Sequence, residues 1–74
     1  MHELDTVVLT RDLPEHGLES GDVGAVVHVY PEGASFQVEF VSADGHALAL
    51  LTLSASDLRA MAGSEILHAR RLVS

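Results

Sequence analysis

The run Phe36-Gln37-Val38-Glu39-Phe40 alternates apolar and polar without a break, and a period of two marks a strand with one buried face. A turn signal stands on each side of it. Pro31-Glu32-Gly33-Ala34 precedes the run and Asp44-Gly45 follows it. The second pair is expected to form a type I′ turn, with both central residues at positive φ. Beyond the turns lie two further apolar segments, residues 23–30 and residues 47–53. Three strands joined by tight turns make an antiparallel meander, because parallel neighbours need a long crossover connection.

The flanks extend this pattern. Residues 5–10 are β-branched and bounded by charge, which suits a first strand. Residues 11–22 carry Pro14, Gly17 and Gly21 among polar side chains and are expected to form a long irregular loop. Gly24, just inside the second strand, is expected to mark a bulge or a bend. Ser54 and Asp57 have the spacing of a capping box, with Asp in the place of Glu or Gln. That spacing predicts one helical or 3₁₀ turn over residues 58–61, ended by Gly63, and a closing strand over residues 65–73. The expected fold is all-β: a small five-stranded SH3-like barrel, with one short helical or 3₁₀ turn before the last strand, forming a single domain over residues 1–74. Closure would remove the exposed sheet edges; an open five-stranded sheet is the alternative. The chain has 74 residues and no cysteine, so its stability must come from packing or from a partner subunit rather than from disulfides.

Within this frame, Leu18-Glu19-Ser20-Gly21-Asp22-Val23-Gly24-Ala25-Val26-Val27 resembles the Gly-Asp-x-Gly-x-Val element of KOW-type and related SH3-like barrels. A wider pattern joins it to residues 3–9, to Tyr30-Pro31-Glu32-Gly33, to residues 36–40 and to Ser56-Asp57-Leu58-Arg59. Over residues 3–59 the chain resembles the small bacterial family catalogued as domain of unknown function 4926. The resemblance implies the barrel. It transfers no activity and no functional residues.

Charge narrows the partners. Four arginines, no lysine and eleven carboxylates give a net charge of −7. Nucleic-acid affinity is built from Lys and Arg that neutralise phosphates, and anionic membranes select for the same residues, so neither partner is expected. A basic protein is. Its expected docking surface is the acidic loop of Asp12, Glu15, Glu19 and Asp22. Gly21 and Gly24, like Asp44 and Gly45, are expected to serve the turns and the strand bend. The longest apolar run, residues 47–51, is far too short to span a bilayer, and a cytoplasmic location is expected.

Chemistry finds little purchase. The histidines at 2, 16, 28, 46 and 68 match no zinc-ligand spacing, although His28 and His68 are expected to face each other across the sheet. There is no cysteine nucleophile, no Gly-x-Ser-x-Gly elbow and no glycine-rich phosphate loop. No catalytic residue, metal or cofactor is therefore expected, and the protein is expected not to be an enzyme.

The apolar residues outnumber the places inside one small barrel. If Leu48 and Leu50 point inward, Leu51 and Leu53 point outward; if Val27 and Val29 point inward, Val26 and Tyr30 point outward. An outer patch of Val26, Tyr30, Leu51 and Leu53 suggests self-association, most simply as a two-fold homodimer. The alternative is that the C-terminal segment folds back over the patch. The function expected is a self-associating protein-interaction module. The alternatives are an antitoxin or immunity-type inhibitor of a basic toxin, and a KOW-like accessory factor in RNA or transcription machinery.

Overall fold

The computed structural model describes residues 1–67 and 69–72. It is all-β, with five strands: β1 (Thr6–Leu9), β2 (Val23–Val29), β3 (Ser35–Val41), β4 (Ala47–Ser54) and β5 (Leu58–Ala60). All pairings are antiparallel, and the strands lie in the order β4-β3-β2-β1-β5 in a single sheet. Among the described residues no ladder joins β4 to β5, so the expected barrel closure is not seen. Among the described residues no helix is long and apolar enough to cross a membrane.

One face of the meander forms the core. Phe36, Val38 and Phe40 are buried, as their alternation requires, and their cross-strand partners share their face. Leu53 stands opposite Phe36, Leu51 opposite Val38 and Ala49 opposite Phe40. Leu53 is therefore buried and Leu51 half-buried, while Leu48 and Leu50 are exposed. This inverts the expected orientation of β4. In β2 a bulge at Val27 resets the frame. Val26, opposite Val38, is fully buried, Val27 and His28 both fall outside, and Val29 returns to the core. Of the four residues expected in an outer patch, Val26 and Leu53 are core, Leu51 packs against it, and Tyr30 alone keeps its place outside the core cluster.

Other local expectations are corrected too. The bulge falls at Val27 and not at Gly24, which pairs in register with Val7. Gly24 serves a close approach instead: a Cβ there would lie 2.7 Å from Val38 Cγ1 and 2.9 Å from Phe40 Cε1. The β3–β4 turn is not type I′. Only Gly45 has positive φ, at 87°, in the three-residue loop Ala43-Asp44-Gly45, where a type I turn followed by a left-handed glycine closes the hairpin. Gly45 N–H donates to the Ser42 carbonyl at 2.9 Å, and Ser42 N–H to that of His46 at 2.9 Å.

The turn before the last strand lies at Ala55–Asp57 and is 3₁₀, starting three residues ahead of its expected place over residues 58–61. Asp57 Oδ2 accepts the Ser54 N–H at 3.2 Å and the Ser54 hydroxyl at 3.0 Å. This closes the turn on its N-terminal side and leaves Leu58 extended. The segment expected to be helical therefore runs straight into β5 and takes the free edge of β1. Residues 65–67 and 69–72 consequently form no strand; His68 and Val73 lie outside the described residues. So does the expected pairing of His28 with His68. His28 sits edge-on to Tyr30, with ring centroids 4.7 Å apart.

Candidate functional site

The loop between β1 and β2 is folded rather than irregular. Leu13 and Leu18 exchange backbone hydrogen bonds of 2.9 and 3.1 Å, and both side chains are buried in the core. Between them Pro14–His16 makes a 3₁₀ turn, since proline's fixed φ suits the first position of such a turn. Gly17 ends it at φ 71°. Asp22 anchors the return. Its carbonyl accepts the Leu9 N–H at 2.9 Å, and its Oδ2 accepts the Glu19 N–H at 2.8 Å.

Into this frame comes an arginine from the C-terminal segment. Arg70 Nε donates to Asp22 Oδ1 at 2.8 Å, and Arg70 Nη2 donates to Asp22 Oδ2 at 2.7 Å. Nη2 also donates to the Gly17 carbonyl at 2.8 Å, and Nη1 lies 3.4 Å from Glu19 Oε2. The two-bond fork onto a carboxylate is the geometry that guanidinium fits and a lysine ammonium does not. Both partners are largely withdrawn from water, with 19% of the Arg70 side chain and 12% of the Asp22 side chain exposed, against 64% for Glu19. The hydrogen bond to Asp22 holds the Arg70 guanidinium above its ordinary pKa, so it is a permanent cation.

The four acids expected to act together divide. Glu19 and Asp22 surround the guanidinium. Asp12 Oδ1 instead accepts the Ser20 N–H at 2.8 Å and braces the loop, and Glu15 stands 4.0 Å from His16. Arg70 and the Gly17 carbonyl were not singled out from the sequence. Arg70-Arg71 is the one adjacent pair of basic residues in an acidic chain, and that signal could have been matched to the acidic loop.

Beside the niche, Leu67 and Leu72 line a cavity of about 350 Å³ together with Leu18, Val41 and Leu48. The C-terminal segment thus does return to the body of the same chain. Elsewhere two more arginines are taken up internally. Arg11 meets Asp57 at 2.6 Å, and Arg59 meets Glu65 at 2.6 Å.

The model of a family described as a domain of unknown function (DUF4926) matches residues 3–60. The chain belongs to this family. The match covers all five strands and the acidic loop, and Arg70 lies beyond it. No match was found to a curated protein or to a solved structure.

Proposed function

We propose that this DUF4926 domain is a non-enzymatic interaction module whose acidic loop receives an arginine side chain of a basic protein partner. The observation that carries the reading is the seat of Arg70. A carboxylate presented for two-bond contact, a glycine carbonyl and a second carboxylate together satisfy one guanidinium. In the free chain Arg70 holds that seat, and a partner's arginine competes for it. The net charge of −7 supports the same reading, because it draws cationic partners in and repels anionic ones.

The test is a titration of the full chain, followed by backbone amide NMR, with a short peptide containing arginine and with its lysine counterpart. The arginine peptide should shift Gly17, Glu19 and Asp22, weaken as salt rises, and lose binding in Asp22→Asn. The lysine peptide should bind more weakly. Equal responses to the two peptides, or shifts elsewhere on the sheet, would overturn the proposal.

A further inference from the structure

The two edges of the sheet are treated differently. β5 is three residues long, carries Arg59, and is flanked by the turn in which Glu65 accepts the Ala62 N–H and pairs with Arg59. Shortness, charge and cover are the usual defences of a sheet edge. Among the described residues β4 has none of them beyond a bulge at Leu48. Its sequence, Ala-Leu-Ala-Leu-Leu-Thr-Leu-Ser, is eight residues long without a charge or a proline. This uncharged strand forms the edge of a chain whose net charge is −7.

The ladder shows which backbone groups are left over. Ala55 N–H donates to the Ala34 carbonyl at 3.1 Å. Alternation along the register then turns the backbone groups of Leu53, Leu51 and Ala49 toward β3, and those of Leu50 and Thr52 toward the open side. Ser54 N–H is already held by Asp57. Leu50 and Thr52 are both exposed, Leu50 by 53%.

From this geometry we infer that β4 is a self-pairing edge whose partner is the β4 of a second copy of this chain, joined antiparallel about a two-fold axis at Leu51. That axis sets Leu50 opposite Thr52 of the partner subunit, so the N–H and C=O of each meet their complements. Antiparallel pairing of a strand with itself is self-complementary in this way. The absence of charge argues for a second copy over other occupants. Two chains of the same strong negative charge can approach along this strand without bringing carboxylates together, whereas a basic partner finds no acid on it. The bulge at Leu48 limits the pairing to the regular part of the strand. The surface is separate from the Arg70 niche, and either proposal can fail alone.

Sedimentation equilibrium of the full chain over a range of concentration tests the inference, together with amide hydrogen exchange at each concentration. The mass should rise from 7.9 kDa toward twice that value, and the Leu50 and Thr52 amides should gain protection in step. Leu50→Lys adds the charge natural edges use, and Thr52→Pro removes an outward N–H that the β3 ladder does not need. Each should raise the dissociation constant about tenfold or more, with the circular dichroism of the fold retained. A mass constant at 7.9 kDa into the high micromolar range would overturn it. So would a dimer in which the Leu50 and Thr52 amides exchange at a rate independent of concentration.

Discussion

Arg70 reaches back across 48 residues of sequence to grip both oxygens of Asp22, at 2.8 and 2.7 Å. Asp22 is itself fixed by the backbone of the loop, through Glu19 N–H and Leu9 N–H. The pair therefore ties the C-terminal segment to a rigid point on the β1–β2 connection. Among the described residues beyond β5 none joins a ladder; Glu65 is tied to Arg59, and the grip on Asp22 and Gly17 is a polar link from residues 69–72 to the body of the sheet. Arg70→Ala should release them. Amide exchange at residues 69–72 should quicken about tenfold or more, as for a segment opening locally, while the β2–β3 ladder stays protected. Arg70→Lys should restore only part of the protection, since an ammonium lacks the fork.

Among the six glycines, Gly24 is the one at which a Cβ would meet neighbours within 4 Å. A methyl group there would lie 2.7 Å from Val38 Cγ1, 2.9 Å from Phe40 Cε1 and 3.0 Å from the Glu39 carbonyl oxygen. Two of these neighbours are buried core side chains and one is backbone, so none can swing away. Gly24→Ala should destabilise the domain by about 1–3 kcal/mol, the usual cost of overpacking, measured as a lower urea midpoint.

Phe40 is the largest of the fully buried side chains. Phe40→Ala should cost about 3–5 kcal/mol. Small domains have total stabilities near the lower end of roughly 5–15 kcal/mol, so the variant should be substantially unfolded at room temperature by circular dichroism.

The β3 alternation made the meander legible, because Phe36, Val38 and Phe40 leave only one choice of buried face. The same residues could have oriented β4, since the short turn places Leu53, Leu51 and Ala49 opposite them. Counting inward from Leu48 missed this, because Leu48 is itself the bulged residue. Val27 hides its bulge equally well: nothing in Val-Val-His-Val distinguishes the extra residue from its neighbours. The capped turn was visible in Ser54 and Asp57, but its position relative to the cap was not, and every element after it was displaced. The acidic loop was legible as charge. Which of its acids converge depends on the Leu13–Leu18 pairing and on a residue 48 positions away, both set by tertiary structure.

Acid should loosen the β5 turn. The hydrogen bond from Arg59, aided by the Ala62 N–H, lowers the Glu65 carboxyl from an ordinary 4.5 to about 2. A depressed carboxylate contributes stability that is fully present above its unfolded value and is lost as pH falls through its folded one. The Glu65 contribution should therefore fade between about pH 5 and about pH 2. Carbon-detected titration of the Glu65 carboxyl should show a midpoint near the lower end, and Glu65→Gln should flatten the fall in melting temperature over that window. A midpoint near the ordinary value would refute the pairing.

The affinity of an arginine-containing peptide for the intact chain and for Arg70→Ala reads the guanidinium niche most directly. An occupied seat reduces apparent affinity by the fraction of molecules in which it is free, and a tethered side chain competes at roughly millimolar effective concentration. Emptying the seat should tighten binding about tenfold, and adding Asp22→Asn to the same chain should abolish it. Equal affinity with and without Arg70, or binding that survives the loss of the Asp22 charge, would contradict a guanidinium-recognising niche.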